Sequence, residues 1–381
     1  MQQILTYTFL VFYTVTILSI VLVIITDNRN PLKTLPWIIV LVFAPVVGLV
    51  FYFFFGQNLS KRRIISRRTR RRITMQLEEA RDTGRPEIPE EHRRLAALLY
   101  STTHSVALYG SRITPYTDGR SKMEALLAEI ARAKHHIHIQ YYIFCDDETG
   151  RRLRDALVEK VRQGVEVRVL YDDVGCSGVK KDFFEGMRRE GIEVFSFLHV
   201  KFPLFTSKVN YRNHRKIAVI DGRVGFIGGM NVADRYVRGT GWGSWRDTHF
   251  RIEGSGAAGL QVSFLSDWSA TTKQHITGAA YFPQSERHAE NILQIVPSGP
   301  FGQWRALLQA DSYAVSNARR RIWIQTPYYL PSDVLNTALQ VAALAGVDVR
   351  LMLPARSDSK IVDLASHSGA KNSRSGRTRS G

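Results

Sequence analysis

The pattern that most restricts how this 381-residue chain can fold is a βαβ unit that occurs twice. In the first copy, residues 121–134 read as helix, 136–144 as strand, 151–163 as helix and 165–171 as strand, from helical spacing of apolar residues in the one and their crowding in the other. His136-Ile-His-Ile-Gln140-Tyr-Tyr then aligns with Arg321-Ile-Trp-Ile-Gln325-Thr-Pro, and Gly164-Val-Glu-Val-Arg-Val-Leu with Gly346-Val-Asp-Val-Arg-Leu-Met. The two separations, 185 and 182 residues, nearly agree. Chance likeness of amphipathic strands is the alternative, and the matched Gln, Gly and Arg argue against it. The expectation is an α/β fold of two duplicated halves, each with parallel strands.

Residues 210–231 carry the chemistry. Asp221-Gly222, set between Ile-Ala-Val-Ile and Val-Gly-Phe-Ile, is the signal for a two-residue hairpin turn. Residues two apart on a strand share a face, so His214 and Lys216 project together. A neutral imidazole can attack phosphorus while a fixed cation neutralises the charge growing on phosphoryl oxygens. A solvated strand end is the ordinary reading of a lone His-x-Lys, but the longer pattern is more specific. His214-x-Lys216-x-x-x-x-Asp221 followed by Gly228-Gly229-x-Asn231 resembles the signature of the phospholipase D superfamily, with Gly229 where the family usually has Ser. Trp245-Arg246-Asp247-Thr248-His249 resembles a segment of its cardiolipin synthase branch.

That resemblance implies a phosphohistidine mechanism with His214 as nucleophile or acid-base partner, Lys216 as phosphate cation, Asn231 as a further phosphate donor and Asp247 as the carboxylate orienting the imidazole. Asp221 belongs to the motif, yet it faces away from His214 at a turn, where Asp commonly accepts backbone hydrogen bonds. The implied reaction makes cardiolipin from two phosphatidylglycerol molecules. The competing readings are a phospholipase or other phosphatidyltransferase of the superfamily, and a non-catalytic membrane protein that binds anionic lipid.

The amino end bears on where such chemistry would occur. The first 26 residues have no charged side chain, residues 4–26 are an apolar run, and a second charge-free run covers residues 35–56. A cleaved leader would have a basic start and a shorter apolar stretch, so the expectation is a hairpin of two membrane helices within residues 1–60. Residues 61–72 then hold eight basic side chains and no acid, which by the positive-inside rule puts the large domain in the cytoplasm, at the inner membrane of a bacterium. Of the formal net charge of +18, eight units lie in that run and four in the tail at Lys371, Arg374, Arg377 and Arg379. The remainder is mildly basic. This distribution suits anionic phospholipid headgroups and disfavours a nuclease, which would spread basic residues over its folded surface.

Cys145 and Cys176 are too few for a disulfide framework. His135, His136 and His138 read as partly exposed strand residues, and neither a metal nor a cofactor is implied. Residues 61–110 are expected to join the membrane segment to the first phospholipase D-like half at 111–290, with part of a second half at 291–366. Transferring the repeat offset to His214 puts a second motif beyond Gly381, and residues 367–381 are too polar to build a core. The sequence reading is therefore a truncated second half, with dimerisation as another route to a two-histidine site.

Overall fold

The computed structural model describes residues 1–26, 31–52, 66–80, 87–197, 212–241, 243–299, 304–354 and 366. Residues 61–65 of the basic run and the tail 367–381 lie outside the described residues. The chain divides into two compact units, one of residues 1–82 and 111–289, the other of residues 83–110 and 290–381.

The first unit starts with helix α1 (Gln2–Thr26), which carries no charge and leaves Leu5, Phe12, Leu18 and Leu22 exposed. The second charge-free run is two helices rather than one, α2 (Pro31–Phe43) and α3 (Pro45–Phe51). Pro45 has no N–H to continue α2, and the chain turns back on itself there. The rings of Trp37 and Tyr52 consequently meet at 5.6 Å, although 15 residues of straight helix would span about 22 Å. Among the described residues no helix is long and apolar enough to cross a membrane. Helix α4 (Arg67–Ala80) follows with its Ile73 and Leu77 buried.

Of residues 61–110, expected to join the membrane segment to the first half, 61–82 fall in the first unit and 83–110 in the second. The latter form α5 (Glu90–Thr103) and β1 (Leu108–Tyr109). The first unit resumes with β2 (Arg112–Asp118), α6 (Gly119–Arg132), β3 (His136–Tyr141), α7 (Glu148–Arg162), β4 (Glu166–Asp172), α8 (Lys181–Arg189) and β5 (Glu193–Phe197). Asp118 caps α6 by accepting from the Ser121 amide, and Asp147 caps α7 by accepting from Gly150. After residues 198–211 come β6 (Ile217–Ile220), β7 (Val224–Gly228), α9 (Asp234–Arg238), β8 (Arg246–Glu253) and α10 (Ser255–Thr272).

Seven strands form one sheet in the order β2-β8-β7-β6-β3-β4-β5. It is mixed, not parallel throughout. The crossover helices α7 and α8 make β3, β4 and β5 parallel, whereas the hairpin forces β6 to run against both β3 and β7. Asp221 and Gly222 take positive φ of 52° and 64°, as a type I′ turn requires. One face buries Ile137, Ile139 and Tyr141 against α6 and α7. Each fully buried aliphatic side chain there contributes about 1.5–3 kcal/mol relative to exposure.

The opposite face of β3 is polar and buried, which the sequence reading missed. His136 and His138 are both 0% exposed. The Gln261 amide on α10 donates to His136 Nε2 at 3.1 Å, so the His136 proton is on Nδ1, 2.8 Å from His135 Nδ1. His138 Nδ1 donates to Gln261 Oε1 at 3.0 Å, and Arg168 donates to its Nε2 at 3.3 Å. Burial pushes His136 down to about 3, and these imidazoles are neutral members of the core.

The second unit adds β9 (Ile292–Leu293), α11 (Ala306–Asn317), β10 (Arg321–Gln325), α12 (Asp333–Leu344) and β11 (Asp348–Met352). β1 pairs with β9, and β10 pairs in parallel with β11. The repeat is visible in the register: His136 pairs with Glu166 in the first copy and Arg321 with Asp348 in the second. Gly164 and Gly346 enter those second strands at φ of 84° and 91°.

Candidate active site

In the first unit the parallel strands β3 and β4 end together, and at such carboxyl ends α/β sheets commonly place their ligands. Tyr142 follows β3 directly. The His214 ring stacks on it, with centroids 3.8 Å apart and 19° between planes. Lys216 lies 5.4 Å above the same ring, and its ammonium donates to the His214 carbonyl at 2.6 Å. The pair expected from the sequence is therefore brought together, with an aromatic floor that no local pattern announced.

Asp172 closes the far side. It ends β4, is 1% exposed, and accepts from the amides of Val174 at 3.0 Å, Gly175 at 2.9 Å and Asn213 at 2.9 Å. Arg212 reaches within 3.9 Å of it. Asn213 also donates through its side chain to Asp267 on α10 at 2.8 Å, and Arg215 forms an ion pair with Asp267. Gln140 donates to Asp267 at 2.6 Å. The residues on both sides of His214 are thereby fixed to α10 and β4, so the imidazole is held by its neighbours rather than by a strand ladder.

The electrostatics suit a neutral nucleophile beside a cation. Burial, then the Lys216 charge, hold His214 below its ordinary value, with Asp172 opposing them. Burial lowers Lys216 to about 8, and Asp247 opposes that shift. Asp247 thus acts on Lys216, and the carboxylate whose charge is felt at His214 is Asp172.

Asn231 and Asp221 have other duties here. Asn231 accepts from the Ile143 amide at 3.0 Å and donates to the Tyr236 hydroxyl at 2.6 Å, at 4% exposure. It pins the chain after β3 to the segment after β7. Asp221 lies at the opposite end of β6 from Lys216 and accepts three backbone amides, from Lys134 at 2.8 Å, His135 at 2.8 Å and His136 at 3.0 Å. The turn reading from the sequence describes this geometry.

Comparison with known proteins joins the geometry to a family. The family described as "Cardiolipin synthase, PLD-like domain" matches residues 126–242, the stretch from α6 through the histidine and lysine to α9. The cardiolipin synthase of Alkalihalophilus pseudofirmus is 37% identical over 369 residues, covering 94% of this chain and 73% of its own. The chain belongs to the cardiolipin synthase family. The major cardiolipin synthase of Bacillus subtilis is 36% identical over 363 residues, covering 92% of this chain and 75% of its own. Residues 12–57 match the family described as "Phospholipase_D-nuclease N-terminal". The phosphatidylserine synthase of Haemophilus influenzae shares the fold over 75% of this chain and 73% of its own, with a TM-score of 0.52 at 15% identity. In this member of the cardiolipin synthase family, the sequence named His214, Lys216 and Asp247 as candidates and gave no notice that Tyr142, Asp172 and Asp267 hold the His214 segment. Their only sequence signals were an aromatic pair at a strand end, an acidic strand end and an acid in an apolar helix.

Proposed function

We propose that the chain is a phosphatidyltransferase that makes cardiolipin from two phosphatidylglycerol molecules at a membrane. The His214 ring nitrogen attacks the phosphorus of the first molecule, the bond to its terminal glycerol breaks, and glycerol leaves with a proton. The hydroxyl of the second molecule then attacks phosphorus, giving its proton to the group that protonated glycerol, and the bond to His214 breaks to give cardiolipin. Lys216 neutralises the phosphoryl oxygens, and Asp172 stabilises the imidazolium that forms in turnover. The observation that carries the reading is the His214 ring stacked on Tyr142 with Lys216 bound to the His214 carbonyl. The resemblance implies that a second histidine motif of a complete site protonates the leaving glycerol.

Lipid association is supported by the exposed apolar surface of α1 and by the eight basic residues at 61–72. We assign residues 1–60 to the bilayer and the domain that follows the basic run at 61–72 to its cytoplasmic side. The test is the full chain in vesicles of phosphatidylglycerol, with lipid products and free glycerol measured together. Cardiolipin and glycerol formation, lost in His214→Ala while vesicle binding persists, supports the reading. Phosphatidic acid as sole product would make it a phospholipase, and vesicle binding without turnover would leave a lipid-binding role.

A further inference from the structure

Behind Lys216 lies a group of buried basic side chains that the chemistry above does not use. Ile217 on β6 pairs with Gln140 and with Ile227, and Gly228 on β7 pairs with His249 on β8. One further step of that register puts Tyr141, Lys216, Gly228 and His249 in a row across the sheet, on the face covered by α6. Gly228 leaves its place in the row open. A Cβ there would lie 2.7 Å from His249 Cγ, so the imidazole leans into the gap. Lys122 reaches this place from α6, and its ammonium donates to the Tyr141 hydroxyl at 2.9 Å.

Lys122 and His249 are both 0% exposed. Among the described residues neither ring nitrogen of His249 has a hydrogen-bond partner, and the only partners of Lys122 are the Tyr141 hydroxyl and the Met123 sulfur. A buried ammonium without a carboxylate is costly, and burial pushes Lys122 down to about 7. His249 lies in the fields of both ammonium groups, and burial, Lys122 and Lys216 in that order keep it neutral. Among the described residues Lys122 forms no ion pair that would explain its burial.

We propose that Lys122 is a second cation of the phosphate site, set behind Lys216 by Tyr141 and His249, and that a bound phosphodiester supplies the counter-charge its surroundings lack. This rests on the phosphodiester chemistry assigned to His214 and Lys216. Binding and protonation are then linked: the anion favours the charged ammonium, so the complex takes up a proton and affinity rises as pH falls through about 7. The titratable groups in the row are Tyr141 on β3, His249 on β8, Tyr116 opposite it on β2, and Lys216; Asp247 acts on Lys216 and not on Lys122.

Calorimetric titration of the full chain with glycerophosphoglycerol tests this, because that soluble diester stays a monoanion over the relevant range. Two buffers of different ionisation enthalpy at about pH 7.5 count the protons taken up, a range set by the 7 and 8 of the two lysines. In Lys122→Met the uptake is expected to fall by more than half and the affinity by about tenfold, while the protein melts several degrees higher because folding no longer has to desolvate and deprotonate a buried amine. Normal diester binding with unchanged proton uptake, or a variant that melts lower than the parent, overturns the role of Lys122 alone. Absence of diester binding by the parent chain overturns the phosphodiester reading together with it.

Discussion

The carboxylate of Asp247 occupies the space above Gly229. A Cβ built on Gly229 would lie 2.1 Å from Asp247 Oδ1 and 2.6 Å from its Cγ. At position 229, where the wider superfamily usually has Ser, an acid from β8 fills the volume a side chain would need. Gly229→Ala must therefore displace Asp247, which opposes the lowering of Lys216 by burial. The expected outcome is a loss of about 10²-fold in turnover from misplacing a charged partner, with little change in vesicle binding. Phosphatidylglycerol turnover in vesicles, beside a flotation assay, checks it.

Activity should have a bell-shaped pH profile. His214 must be neutral to attack, so the rate rises as pH passes through a value below the ordinary 6.5 of histidine. Lys216 must be charged, so the rate falls as pH rises through about 8. Lys216→Arg keeps a cation that does not titrate in this range, and its alkaline limb should move up by about two units or more even if the maximum rate drops. Initial rates between about pH 5 and pH 10 decide this, and an unmoved alkaline limb would assign it to another group.

Asp221 is expected to report on stability rather than chemistry. Its carboxylate accepts three amides at the head of β3, and Asp221→Ala leaves them without that partner at a residue with φ of 52°. The cost should be about 3 kcal/mol in urea unfolding, with turnover per folded molecule unchanged. A selective loss of turnover without loss of stability would contradict the structural role.

Tyr142 should matter through its ring. Tyr142→Phe preserves the face on which His214 stacks and is expected to keep most activity, whereas Tyr142→Ala removes the stack and should lower kcat by about tenfold with less effect on KM. The kcat and KM of both variants, compared in the same vesicles, separate these outcomes.

The duplicated βαβ units, the type I′ turn and the His214 and Lys216 pair were all legible along the chain, because each depends on residues close in sequence. Two local expectations changed on folding. The helix expected across residues 35–56 breaks before Pro45, and His136 and His138 are fully buried because α10 brings Gln261 over them. Nothing near position 138 in sequence could report a partner 123 residues away. The expectation that Asp247 orients the imidazole came from the resemblance of Trp245-Arg246-Asp247-Thr248-His249 to a family segment. The register of β7 and β8 places Asp247 against Gly229, where its charge opposes the lowering of Lys216, and the end of β4 places a second carboxylate, Asp172, whose charge opposes the lowering of His214.

Sequence by itself determined the α/β class, the repeat, the family and the residues able to perform phosphoryl chemistry, since periodicity and motif spacing are properties of neighbouring residues. Tertiary structure alone decided that the Tyr142 ring stacks on His214, that Asp172 is buried with its charge opposing the lowering of His214, and that Lys122 is buried without a carboxylate partner among the described residues. Those relationships depend on strand register and helix packing, which bring together side chains that the chain keeps dozens of residues apart, and burial then changes the charge each of them can hold.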